Sequence, residues 1–125
     1  MSLNLDRIDW MPSPPLVPDD GPIDIAHLRR MTLGDAALER EVLTMFSGQA
    51  SRLVKALGAR PADASALAHK LKGSARAIGA FAVADAAAHL ETLVGAGRDT
   101  AKALGDLDSA VEEAQSAIEV LLDQP

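Results

Sequence analysis

Apolar residues recur at intervals of three and four positions along most of this chain, which is the spacing of amphipathic α-helices. The most regular stretch is the last one, with Leu104, Leu107, Val111, Ala114, Ile118 and Leu121. Only 2% of the residues are aromatic, and strands of β-sandwiches and barrels favour aromatic and β-branched residues. The spacing and this scarcity together predict an all-α protein.

Four breaks divide the apolar pattern into one short helix and four long ones. They lie at positions 32–35, 58–61, 79 and 95–97, where glycine, proline and small polar residues collect. Asp24 stands near the start of the short helix, and Asp35 can cap the helix that follows. Long helices with short connections favour an antiparallel up-and-down four-helix bundle, here with a short extra N-terminal helix.

The apolar positions of the second and third helices predict which side of each helix faces the core. In the second helix the stripe consists of Leu38, Val42, Met45 or Phe46, Gln49 or Ala50, Leu53 and Leu57. In the third helix it consists of Leu67, Leu71, Ser74 or Ala75, and Ile78.

Length, charge and cysteine content exclude several classes of protein. The 125 residues provide one domain, and 48% hydrophobic residues are enough for a real core. A net charge of −6 disfavours nucleic acid and anionic membranes as partners. The chain has no cysteine, which excludes disulfides, Cys-based zinc sites and thiol nucleophiles. Neither a secretory signal nor a membrane-spanning run is evident, so we expect a cytoplasmic protein.

Residues 1–22 form a proline-rich N-terminal arm that precedes the bundle at 23–123. Five of the seven prolines lie in this arm, so it holds no long helix. Trp10, with Ile8 and Met11, could dock the arm on the bundle or on a partner. The sequence is equally compatible with an unattached terminus that carries a single aromatic residue.

The third helix carries a polar group opposite its predicted core stripe. An α-helix turns by about 100° per residue, and this rotation puts four residues on one outward face: His69, Lys72, Gly73 and Arg76. The imidazole should therefore be reachable from solvent. Taken alone, this placement is also typical of an ordinary surface histidine among surface charges.

Gly73 favours a chemical role for His69 over that ordinary one. Glycine inside a helix costs about 1 kcal/mol relative to alanine, which this chain uses freely elsewhere. A missing side chain one turn beyond His69 lets another molecule approach the ring. Lys72 and Arg76 could offset negative charge arriving there, and a neutral imidazole is a nucleophile. This combination suits a group that accepts a phosphoryl.

The run from His69 to Ala75, followed by Ile78-Gly79-Ala80, resembles the H-x-L-K-G-S-[SA]-x-x-[IL]-G-[AL] signature of histidine-containing phosphotransfer (HPt) domains. The close match covers about a dozen positions, and the helix order fits over roughly residues 23–123. The resemblance implies a four-helix bundle that relays phosphoryl groups between aspartates of receiver domains in two-component signalling.

The resemblance also implies site residues and partners. His69 would be the phospho-acceptor, Lys72 its charge partner and Gly73 the residue that leaves clearance. On the fourth helix, Glu91 could accept a hydrogen bond from the His69 ring. Arg76 is not a fixed part of the signature, but its place on the helical wheel of the third helix lets it extend the positive charge near His69. The partners would be response-regulator receiver domains, and a hybrid sensor kinase is one candidate source of them.

Such a protein is a phosphoryl carrier and not an enzyme. The sequence has no Gly-rich ATP-binding signature and no room for a kinase domain, so it should not phosphorylate itself from ATP. We expect no cofactor on this chain, and Mg²⁺ would come with the receiver domain. We also expect a monomer, because the apolar faces of the four long helices can be buried against one another within a single chain.

Two other classes of function stay open from the sequence. One is a bundle that binds receiver domains without phosphotransfer, in which His69 is chemically idle. The other is a metal-binding bundle that uses His69, His89 and Glu91, although the repeated inward-facing Glu-x-x-His pairs of such bundles are missing. His89 fits a boundary position on its helix, and His27 receives no role.

Overall fold

A computed structural model of the chain describes residues 21–124, which form five α-helices. The helices are α1 (Ile25–Met31), α2 (Ala36–Gly58), α3 (Ala64–Ile78), α4 (Phe81–Gly95) and α5 (Ala101–Leu122). Within residues 21–124 no strand is present. The predicted all-α bundle with a short first helix is confirmed.

The four long helices close into a ring around one core. Helix α3 packs against α2 and α4, and α5 packs against the same two helices from the other side. Short connections join successive helices, so neighbours run antiparallel. The short helix α1 lies against α3.

Large aliphatic side chains fill the core, and alanines line the tightest helix pair. The bulkiest buried residues are Leu28, Leu43, Leu57, Leu71, Val83, Leu90, Leu107 and Ile118. Helices α3 and α4 make the most extensive contact, and buried alanines on both sides let them approach closely: Ala68, Ala75, Ala84 and Ala87. The pair that carries the candidate site is therefore held firmly together.

Gly79 ends α3 and anchors α1. Its φ of 88° is left-handed, a conformation that glycine adopts without a Cβ penalty. The Asp24 N–H donates to the Gly79 carbonyl at 2.9 Å, and a Cβ on Gly79 would lie 2.8 Å from the Asp24 carbonyl oxygen. Asp24 also caps α1 by accepting from the His27 N–H, and Asp35 caps α2 in the same way, so the predicted Asp35 cap is confirmed.

Two apolar residues predicted for the core of α2 lie on its surface instead. Leu38 is 39% exposed and Met45 is 65% exposed, whereas Leu43 and Phe46 are buried. The buried side of α2 therefore includes Phe46 and not Met45. Met31, at the end of α1, is likewise exposed. Apolar surface is thus available on α1 and α2.

The predicted arm falls almost entirely outside the described residues. Only Gly21 and Pro22 of its 22 positions are described, so the arm and the docking role of Trp10 stay predictions. Among the described helices, none combines the length and the apolar character that crossing a membrane requires.

Candidate functional site

His69 lies on the solvent-facing side of α3, with 67% of its side chain exposed. The opposite side of the helix is buried and consists of Ala64, Ala68, Leu71, Ala75 and Ile78. The ring is therefore accessible, as the helical wheel predicts.

The position of Lys72 differs from the prediction. The buried face of α3 centres on Ala68 and Ala75, which rotates the core direction by about 50° from the Leu67-based stripe. Lys72 consequently lies at the flank next to α4, with only 18% of its side chain exposed, and not opposite the core. Ser74 is half-buried at the other edge.

Glu91 on α4 joins the two basic side chains of α3. Its Oε2 lies 3.0 Å from His69 Nδ1, and its Oε1 accepts a hydrogen bond from Lys72 Nζ at 2.7 Å. Leu90, the preceding residue, is buried in the core and fixes this part of α4. The carboxylate therefore bridges α3 and α4 with each oxygen committed to a different partner.

The bridge keeps the carboxylate ionised. The hydrogen bond from Lys72 lowers the pKa of Glu91 below its ordinary value, and the contact with His69 acts in the same direction. Desolvation of the carboxylate acts against this shift but does not reverse it. At neutral pH Glu91 is thus an acceptor only and presents no proton to the ring.

This geometry assigns the protons of the imidazole. An ionised carboxylate can only accept, so Nδ1 of His69 carries the hydrogen that points at Glu91. In the neutral ring, Nε2 then keeps its lone pair. No residue of the described part of the chain bonds to Nε2. His69 therefore offers a nucleophilic nitrogen to solvent or to a partner.

Gly73 leaves open space beside the ring. A Cβ built at this position meets nothing within 4 Å, so packing within the domain does not require glycine there. The helix interior would be more stable with alanine by about 1 kcal/mol. The open space at Gly73 leaves room for a partner to come close to α3.

An apolar groove lies between α2 and α3 on the other side of His69 from Glu91. It has a volume of about 570 Å³, and its lining includes Val42, Met45, Phe46, Gln49, Ala77 and Ile78. Around α3, Gly73 stands between His69 and Ala77, at about 40° steps. His69 and Gly73 therefore lie in the same row of α3 as Ala77, which lines the groove, and the sequence motif did not reveal this groove.

A family model for the Hpt domain matches residues 41–121. The chain belongs to the Hpt domain family. The match spans all of α3 and α4, so it contains the three residues joined by the carboxylate bridge. Searches of curated proteins and of solved structures found no match.

Membership explains the class of activity. Hpt domains carry phosphoryl groups in phosphorelay signalling and interact with receiver domains, and they are carriers and not kinases. The resemblance seen in the His69 to Ala80 segment is thereby confirmed at the level of the family.

The remaining candidate residues of this Hpt domain lie apart from the bridge. Arg76 and His89 are exposed, and neither side chain forms a hydrogen bond or an ion pair with another described residue. His27 packs edge-on against Phe81, with ring centroids 5.1 Å apart, at the junction of α1 and α4. The structure thus brings His69 and Glu91 together, whereas Arg76 lies apart from them.

Metal ligands do not gather at the site. Across residues 21–124, no group of three or more histidine or acidic side chains could hold a metal ion. His89 does not join His69 and Glu91, so the ligand set considered for a metal-binding bundle is not assembled.

Proposed function

We propose that this Hpt domain carries a phosphoryl group on Nε2 of His69 and relays it between aspartates of receiver domains. One observation carries the proposal. An imidazole with 67% of its side chain exposed has its Nδ1 bonded to a carboxylate, which leaves Nε2 as its nucleophilic nitrogen.

The receiver domain would dock on the groove between α2 and α3. Exposed Met45 and the apolar lining of the groove offer surface that loses contact with water on docking. Gly73 lies between this surface and His69 and adds no side chain that would hold the partner away. Exposed Leu38 extends the apolar surface along α2.

The transfer itself requires little covalent chemistry from this chain. The lone pair of Nε2 attacks phosphorus, the N–P bond forms, and the bond from phosphorus to the aspartyl oxygen breaks. The receiver's aspartate leaves as a carboxylate. Positioning and charge neutralisation supply most of the acceleration in phosphoryl transfers. Mg²⁺, which stabilises the phosphoryl oxygens, would be held by the receiver.

Lys72 would provide the nearby positive charge on this side of the reaction. Its ammonium and the His69 ring both bond to the carboxylate of Glu91, so the ammonium lies close to the reacting side chain. A lysine interacts with phosphate as a mobile point charge on a flexible stem. Lys72 can therefore turn from Glu91 toward the phosphoryl oxygens as negative charge arrives.

The protein would act as a monomeric carrier in the cytoplasm. Each molecule accepts one phosphoryl group and returns it to a second receiver, so it needs no substrate pocket of its own. The alternative is an Hpt domain that only binds receivers and leaves His69 unmodified.

Transfer of label from a phosphorylated receiver domain tests the proposal. A ³²P-labelled receiver is mixed with the wild type and with His69→Gln, with His89→Gln as the matched exposed-histidine control. We expect acid-labile, base-stable label on the wild type and on His89→Gln, and none on His69→Gln. Label that persists on His69→Gln would overturn the assignment, and capture of receivers without any label would support the binding-only alternative.

A further inference from the structure

The N-terminal segment joins the domain at one end of the groove between α2 and α3. The Asp24 N–H donates to the Gly79 carbonyl at 2.9 Å, and Ile78, the residue before Gly79, lines the groove. Residues 1–20 precede this contact by only a few positions. The end of the groove is therefore close to the point from which these residues extend.

The chain between Trp10 and the domain is long enough to reach any part of the groove. The groove follows α2 from Val42 to Arg52, and these ten helical steps span about 15 Å. The twelve steps from Trp10 to Pro22 can span up to about 40 Å, at about 3.3 Å per residue. A segment tethered over so short a distance binds at an effective concentration in roughly the millimolar range.

Arg52 gives the groove a positive charge that is not paired within the described part of the chain. Of the described residues that line the groove, Arg52 alone is charged. No ion pair or side-chain hydrogen bond within residues 21–124 involves it. In the N-terminal segment, Asp6 and Asp9 stand close to Trp10, and a guanidinium forms strong paired hydrogen bonds with a carboxylate. The charge of the groove therefore favours this acidic segment as its occupant.

The apolar part of the groove has the size and the chemistry to hold an indole. Its volume of about 570 Å³ falls in the range of about 300–1,000 Å³ that is usual for sites that hold small molecules. Met45 on its edge is 65% exposed, and a thioether makes favourable contacts with aromatic rings. Trp10 is the only tryptophan of the chain, and Ile8 adds a second apolar side chain two residues earlier.

We propose that residues 6–11 bind in the groove between α2 and α3, with Trp10 against Met45 and an aspartate paired with Arg52, and so compete with receiver domains. The competition rests on the proposed function, because that function places the receiver on the same groove. A receiver then binds only to molecules whose groove is open. A groove closed in about 90% of the molecules weakens receiver binding about tenfold.

A second surface near the start of the described chain fits the segment less well. It lies on α5 beside Pro22 and carries Glu112 and Glu113. These carboxylates repel the acidic side chains of Asp6 and Asp9, since like charges placed next to each other disfavour binding. The groove between α2 and α3 offers a positive charge instead.

Intrinsic fluorescence tests the docking without any receiver, because Trp10 is the only tryptophan and the chain has no tyrosine. We expect blue-shifted emission and weak quenching by acrylamide in the full-length chain. Met45→Lys should shift the emission to the red and increase the quenching several-fold. Val120→Lys is the matched control, since Val120 is 62% exposed on α5, and it should change neither.

Charge reversal tests the pairing with Arg52. Arg52→Glu should release Trp10, and Asp6→Arg together with Asp9→Arg in that same variant should return it. Lys55→Glu is the control, because Lys55 is exposed on α2 and does not line the groove. Water-exposed emission in the wild type, or blue-shifted emission that neither Met45→Lys nor Arg52→Glu changes, would overturn the docking.

Receiver affinity, measured by calorimetry, tests the competition. We expect Trp10→Ala to bind a receiver about tenfold more tightly than the wild type, with Leu16→Ala as a control outside residues 6–11. The receiver should also shift the emission of Trp10 to the red. Equal affinities in all three proteins would overturn the competition while leaving the carrier function intact. Receivers that bind none of them would overturn the proposed function and the competition together.

Discussion

Lys72 Nζ lies 2.7 Å from Oε1 of Glu91, so the ammonium is already paired before any phosphoryl group arrives. The pair spans α3 and α4, and its lysine is mostly buried, with 18% of the side chain exposed. Under the proposed function, Lys72 would have to exchange the Glu91 carboxylate for the phosphoryl group during transfer. This exchange connects the structure of the unmodified site to its proposed chemistry.

Replacing Lys72 should slow phosphoryl transfer without preventing it. Lys72→Ala would remove the charged hydrogen bond that we propose to the phosphoryl group, and we expect the transfer rate to fall by roughly tenfold to a hundredfold, which corresponds to about 1.4–2.7 kcal/mol. Lys70→Ala is the matched control, because Lys70 is exposed and its side chain has no partner in the described region. Rapid-quench measurements of label transfer would compare them, and equal rates for both variants would contradict the role of Lys72.

Gly73→Ala should make the domain more stable and the transfer slower. The added methyl group meets nothing within 4 Å, so we expect a gain of about 1 kcal/mol in the free energy of unfolding. The same group intrudes where a receiver would approach, and a displacement of about 1 Å can cost up to a hundredfold in rate.

Gly105→Ala on α5 provides the control for that experiment. Gly105 is also exposed inside a helix and also has open space around it. Urea denaturation should show similar gains for both variants, while only Gly73→Ala loses transfer. An unchanged transfer rate in Gly73→Ala would argue against close approach of the partner at this position.

Gly79→Ala should destabilise the domain more than Gly97→Ala does. Both glycines have a positive φ, 88° and 68°, which costs roughly 1–2 kcal/mol for an alanine. At Gly79 the new Cβ would also displace Asp24 and weaken its hydrogen bond, which adds about 1 kcal/mol. At Gly97 the Cβ meets nothing. Thermal unfolding would compare the two, and equal losses would show that Gly79 does not anchor α1.

The Glu91 bridge should contribute stability only at higher pH. Because the pKa of Glu91 is lowered in the folded protein, its contribution is present above the unfolded glutamate pKa of about 4.3 and disappears as the pH falls through the folded value. Urea denaturation from pH 7 to about 3 should therefore show wild type and Glu91→Gln converging in stability at the acidic end. A difference that stays constant across this range would contradict the ionic character of the bridge.

The sequence predicted the helices and the exposed ring but not the contacts between helices. The Asp35 cap and the exposure of His69 depend on local spacing, which a sequence displays directly. The apolar spacing predicts the wrong core face for α3 because Leu67 is larger than Ala68, whereas the alanine is the residue that is fully buried. The Lys72–Glu91 contact depends on how α3 and α4 are rotated against each other, and helical periodicity within one helix does not determine that.

Correlation NMR on the phosphorylated protein tests the central claim most directly. The domain is labelled with nitrogen-15, phosphorylated by a receiver, and examined for coupling between phosphorus and a ring nitrogen. We expect coupling to Nε2 of His69, with a hydrogen still on Nδ1. Coupling to Nδ1, or to a nitrogen of another residue, would contradict it.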